Sequence, residues 1–65
     1  MKQKRVCIYP KDIQRITGRS ERFGRKLLND IKHYYDKQPH QFVTVNEFAI
    51  YTGIDLDLVN QHILD

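Results

Sequence analysis

Slid by 35 residues, this chain of 65 aligns with itself. Tyr9-Pro10-Lys11-Asp12-Ile13 falls on Thr44-Val45-Asn46-Glu47-Phe48, and Ile16-Thr17-Gly18 falls on Tyr51-Thr52-Gly53. Ser20 then coincides with Asp55, Phe23 with Leu58 and Leu28 with Ile63. Each copy reads as an acidic residue, an apolar residue, two further residues, an apolar residue, Thr, Gly, one residue, a helix N-cap and an amphipathic stretch. That order describes two short helices joined by a tight turn at a glycine. The period is near that of tetratricopeptide and ankyrin arrays, but their signature residues are missing, and two units fall short of the three or more that stacked arrays usually need. Two helix-turn-helix units closing on one shared core are the expectation.

Local signals place the elements. Pro10 suits the first position of a helix and Gly18 the position just past its end, which gives a first helix over about Pro10 to Thr17. Ser20 is a good N-cap for a second helix that opens with the acidic Glu21 at the positive end of the helix dipole. At 100° per residue this helix carries Phe23, Leu27, Leu28, Ile31, Tyr34 and Tyr35 on one side. Arg22, Arg25, Lys26, Asn29 and His33 fall on the other. Pro39 disfavours helical geometry at Gln38, so the helix is expected to end near Asp36 or Lys37, with a loop following. Phe42-Val43-Thr44-Val45 reads as extended. Thr44 and Glu47 form a capping box for a third helix over about Val45 to Thr52, ended by Gly53. Asp55 caps a fourth helix from Leu56 to about Leu64.

The expected fold is therefore an all-α, four-helix domain with a short extended N-terminal segment. Its parts are a basic arm over 1–9, a basic unit over 10–37, a loop over 38–43 and an acidic unit over 44–65. The expected core comprises Ile13, Ile16, Phe23, Leu27, Leu28, Ile31, Phe42, Val45, Phe48, Tyr51, Ile54, Val59 and Ile63. A chain this short buries only about 60% of its unfolded surface, which leaves little room for a buried multi-residue active site. With 40% hydrophobic and 29% charged residues it has the composition of a folded soluble domain. The longest apolar run, Val6-Cys7-Ile8-Tyr9, is far short of the ~20 residues that cross a bilayer, so a cytoplasmic protein without membrane contact is expected. A single cysteine makes no internal disulfide, and Cys7 reads as a small buried hydrophobe.

Charge separates the two copies. All eleven Lys and Arg lie between Lys2 and Lys37 with only four acids, a net of +7, whereas Gln38 to Asp65 holds four acids and no Lys or Arg, a net of −4. Such a split points the first half toward a polyanion. The run Thr44-Val45-Asn46-Glu47-Phe48-Ala49-Ile50-Tyr51-Thr52-Gly53-Ile54-Asp55, with Val59 and Ile63 following, resembles the helix-turn-helix of excisionase-type and related phage regulators. Tyr9 to Leu28 resembles a more diverged copy. The resemblance implies a DNA-binding domain whose second helix reads the duplex, in small proteins that regulate transcription or assist recombination. The second copy fits the packing pattern better, with Ala49, Ile54 and Val59 where the first has Gln14, Arg19 and Gly24. Yet Asp55 and Asp57 open its would-be reading helix, and phosphates repel that end.

The first unit instead offers Arg19, Arg22, Arg25 and Lys26 at and just after its second helix start, where recognition helices meet base edges and backbone. The helix over about 21–36 is therefore expected to lie in the major groove of double-stranded DNA. Arg22, Lys26 and Asn29 share one outward stripe, suited in turn to guanine, to guanine or phosphate, and to adenine. Arg25 flanks it toward phosphate, Arg15 and Arg19 reach the backbone on either side, Ser20 can donate, and His33 continues the polar face. The tail with Lys2, Lys4 and Arg5 is placed either to act as a minor-groove arm or to fray. A homodimer would multiply specificity through paired half-sites. The alternative is a protein-interaction module that uses residues 44–65 and leaves the basic face solvated. RNA shares the same phosphate chemistry. No cofactor is expected, no His or Cys spacing suits zinc around His33, His40, His62 and Cys7, and no phosphate loop, nucleophile elbow or carboxylate pair suggests an enzyme.

Overall fold

The computed structural model describes residues 6–63. Lys2, Lys4, Arg5 and Leu64, to which the sequence assigns an arm and a helix end, lie outside the described residues. Four helices follow in order: α1 Pro10–Thr17, α2 Glu21–Tyr34, α3 Val45–Thr52 and α4 Leu56–Gln61. The domain is all-α, with α1 packed on α2, α3 on α4, and α2 joining the halves through α3.

The repeat is structural as well as sequential. Gly18 and Gly53 close α1 and α3 at φ of +73° and +78°, a left-handed conformation that glycine adopts without a Cβ penalty. Thr17 Oγ1 donates to the Ile13 carbonyl at 2.7 Å and Thr52 Oγ1 to the Phe48 carbonyl at 2.8 Å. Each Thr hydroxyl also accepts a backbone N–H from beyond its glycine, from Arg19 at 3.1 Å and Ile54 at 3.3 Å. The next helix is capped alike, by Ser20 Oγ accepting from Phe23 N–H and by Asp55 Oδ1 accepting from Asp57 N–H. Each turn is thereby fixed by the same small set of side chains.

The segments ahead of the two units pair with one another. Cys7 bridges Thr44 in an antiparallel sense, Ile8 N–H donates to the Val43 carbonyl at 3.0 Å, and Val45 N–H donates to the Val6 carbonyl at 2.7 Å. Ile8 and Val43 are equivalent positions of the repeat, so their pairing sets a local, approximate two-fold relation between the units. Both are buried, and with Ile13, Ile31, Val45, Phe48, Ala49, Val59 and Ile63 they make the core. Ile13 and Phe48, equivalent positions of the repeat, both belong to that core. Ile16, Phe23, Leu27, Leu28 and Ile54 pack around it half-buried.

Two expected core residues lie outside. Phe42 is 68% exposed, because alternation in an extended segment sends Val43 inward and its neighbour outward. Tyr51 stands at the rim, its ring edge-on to Tyr34 at 5.2 Å, and Tyr34 in turn meets Tyr35 at 5.0 Å. Tyr34 is itself exposed.

Two helices end earlier than their sequence signals indicate. At the end of α2, Lys37 N–H donates to the Lys32 carbonyl at 2.8 Å and Asp36 N–H to the His33 carbonyl at 3.2 Å. These are the paired bonds of a Schellman motif, with Asp36 at φ +58° in the place glycine usually takes. At the end of α4, His62 and Ile63 N–H reach back only three residues, to Val59 and Asn60, and the tightened turn buries Ile63 without a further helical turn.

Gly24 is where the first unit is most tightly closed. A Cβ at this position would stand 2.8 Å from the Pro10 carbonyl oxygen and 3.2 Å from its Cα, both backbone atoms. In an open helix Gly→Ala stabilises by about 0.5–1 kcal/mol. Here the sign inverts: Gly24→Ala is expected to destabilise the domain by about 1–3 kcal/mol through overpacking, read as a lower melting temperature. A rise in melting temperature would contradict this packing.

The loop between the units is tied down by Glu47. Its Oε1 accepts from Thr44 N–H at 3.0 Å, completing the capping box, and its Oε2 pairs with Lys37 Nζ at 3.1 Å. Burial works to raise the Glu47 carboxyl, but the Thr44 backbone N–H, the Lys37 ammonium and the Thr44 hydroxyl outweigh it and hold the group below the ordinary glutamate value. A lowered folded-state value means stability that is present above the ordinary glutamate range and lost as pH falls through the folded value. Glu47→Gln should flatten this loss. Urea stability followed from neutral to acid pH checks it, and parallel curves for the two proteins would contradict it.

Candidate nucleic-acid interface

The turn Gly18-Arg19-Ser20 delivers α2 directly from α1, and the close approach at Gly24 sets α1 against it as a brace. Fourteen residues make α2 about 21 Å long. Its inner side buries Ile31 and Gly24 and half-buries Phe23, Leu27 and Leu28. Arg22, Arg25, Lys26, Asn29 and His33 are all exposed, on the side opposite the core.

The cations on that face differ in what holds them. Arg25 pairs with Glu21 at 3.2 Å and Lys26 with Asp30 at 3.3 Å, one turn apart along the same helix. With the Arg25 and Lys26 side chains 66% and 75% exposed, such pairs are screened and worth only a few tenths of a kcal/mol. Both cations can exchange a carboxylate for a phosphate at little cost. Among the described residues, the side chains of Arg22, Asn29 and His33 make no hydrogen bond or ion pair. Arg19 lies over the Phe23 ring, its guanidinium carbon 4.3 Å from the centroid, which steadies it beside the start of α2. Ser20 spends its lone pair on the helix cap, and its hydroxyl proton can still donate.

Arg15 stands apart from the stripe. Its Nη2 pairs with Asp12 Oδ1 at 2.7 Å and its Nε reaches the His62 carbonyl at 3.4 Å, so its guanidinium links the two units. Asp12 is buried, and its other oxygen accepts from Tyr9 N–H at 2.8 Å.

Two lysines outside the stripe complete the surroundings. Lys32 donates to the Pro39 carbonyl at 2.9 Å, and Lys32, Asn29, His33, Lys37 and Pro39 line a shallow depression of about 220 Å³ at the far end of α2. Lys32 follows Asn29 by three residues, and that spacing is the sequence signal that would have included it. On the second unit, Asp55 and Asp57 open α4, while Ile50 and Leu58 are exposed apolar side chains. Among the described residues, no helix is long and apolar enough to cross a membrane, and no group of three or more His, Cys, Asp or Glu could hold a metal ion. In comparisons with known proteins, no family model, no curated protein and no solved structure matched the chain.

Proposed function

We propose that this domain binds double-stranded DNA by laying α2 in the major groove, as a small transcriptional regulator or recombination accessory factor of the excisionase-like kind. The observation that carries this reading is the exposed stripe Arg22, Arg25, Lys26, Asn29 and His33 on a helix braced from behind by α1. The half that holds it has a net charge of +7, and the other half, at −4, turns no Lys or Arg toward a polyanion. Arg19 and Ser20 flank the start of the helix toward phosphate, and Arg15 adds positive charge behind it while holding Asp12. No catalytic role and no cofactor belong to this reading.

Titration of a fluorescent mixed-sequence duplex across a salt series tests it. Affinity that falls steeply with salt supports the reading, since phosphate contacts release counterions. An absence of binding even at low salt would overturn it. A parallel series with an RNA hairpin separates the two nucleic acids, and sedimentation with a palindromic duplex reports whether two copies bind together. A second reading rests on Ile50, 71% exposed, and on Leu58, Leu56 and Tyr51 in the acidic unit. These favour a protein partner on residues 44–63, either beside the DNA or in place of it.

A further inference from the structure

The polar stripe of α2 is divided by what its side chains already hold. Arg25 and Lys26 lean along the helix to Glu21 and Asp30, whereas Arg22 and Asn29 are exposed and, among the described residues, uncommitted. Arg22 and Asn29 are seven residues apart, which returns them to within about 20° of one azimuth and separates them by about 10.5 Å along the axis. At about 3.4 Å per base pair, that distance spans about three base pairs. The two side chains also have the planar, two-pronged ends that base edges require. A guanidinium donates twice to guanine O6 and N7, and a carboxamide both donates to N7 and accepts from N6 of adenine. An ammonium such as Lys26 is a point charge without that geometry.

Resting on the DNA-binding reading, we propose that Arg22 and Asn29 are the specificity-determining pair, reading a guanine and an adenine about three base pairs apart. Arg25 and Lys26 exchange their helix carboxylates for phosphates and set the affinity and register. The division of labour follows from availability: a side chain with no protein partner in the free domain breaks no intramolecular contact in order to meet a base edge. A tethered cation loses only a weak, screened pair when it turns to the backbone.

Selection of binding sites from a randomised duplex pool tests the division, with the native chain, Arg22→Ala, Asn29→Ala and the double variant Arg25→Ala/Lys26→Ala. The native chain should enrich a guanine and an adenine at that spacing. Arg22→Ala should lose the guanine preference alone and Asn29→Ala the adenine preference alone, each by about tenfold to a hundredfold in discrimination. The double variant should bind all sequences more weakly and keep the same preferences. Alanine favours the helix at these exposed positions, and helical circular dichroism shows that each variant is folded. A native chain that binds duplexes without enriching any sequence would overturn the inference and leave DNA binding intact. The same holds if the double variant loses the preferences. A chain that binds no duplex at low salt overturns both.

Discussion

Replacing Arg22, Arg25 and Lys26 together by alanine is expected to weaken binding to a mixed-sequence duplex by about fiftyfold to a hundredfold near 0.1 M salt, on the order that the two phosphate neutralisations lost with Arg25 and Lys26 imply. The dependence of log affinity on log salt should become shallower by about two units in the same variant. The two readouts must move together, because both count released counterions. The effect is not offset by a folding defect. All three side chains are exposed on the side of α2 away from the core, and the intrahelical pairs of Arg25 with Glu21 and of Lys26 with Asp30 contribute little to stability. The loss is deepened because Glu21 and Asp30 are left facing the phosphates without their cations. Loss of affinity with an unchanged salt slope would mean that these residues act indirectly, and unchanged affinity would move the interface off α2.

The second large effect is on stability. Asp12→Ala is expected to cost about 2–4 kcal/mol, the range for removing one member of a buried, charge-assisted hydrogen-bond set. The Asp12 side chain is 1% exposed and joins the Tyr9 N–H to the Arg15 guanidinium. Its removal takes the carboxylate acceptor from the Tyr9 N–H ahead of α1 and from the Arg15 guanidinium at the junction of the units. For a 65-residue domain, whose total stability is about 3–10 kcal/mol, this is a large share. Urea unfolding followed by circular dichroism measures it. Asp12→Asn keeps one acceptor and should fall between the native chain and Asp12→Ala. An Asp12→Ala domain within about 0.5 kcal/mol of native would show that the carboxylate is dispensable, as most surface positions are.

Helix starts were legible in the sequence because each is announced by one residue with one job. Pro10, Ser20, Thr44 with Glu47, and Asp55 stand where the sequence signals place them. The glycine-ended helices α1 and α3 were legible at both ends. The C-terminal ends of α2 and α4 were not, because Asp36 replaces glycine in the closing turn and a three-residue backbone bond replaces the last turn of α4. Neither leaves a compositional mark. The outward face of α2 follows from its period, whereas Phe42 was misplaced because a two-residue alternation does not reveal which residue points inward.

Long-range geometry was the least visible. Gly24 reads in sequence as a poor match to a packing position, and in three dimensions it is the point at which α2 meets the backbone of Pro10. Asp12 reads as an acid suited to a helix start, yet it is buried beside Arg15, which itself reaches the His62 carbonyl 47 residues further along the chain. Arg15 accordingly carries a structural link that the charge pattern alone does not show. The pairing of Ile8 with Val43 follows from the repeat only once the two units are seen to face each other.

The most direct test of the central claim is a heteronuclear NMR titration of the full chain with a short duplex at low salt, following every backbone amide and the Asn29 side-chain amide. DNA binding through α2 predicts shifts concentrated from Arg19 to His33, with the amides of α4 unmoved. Shifts concentrated on Asp55 to Gln61, or none anywhere, would contradict it.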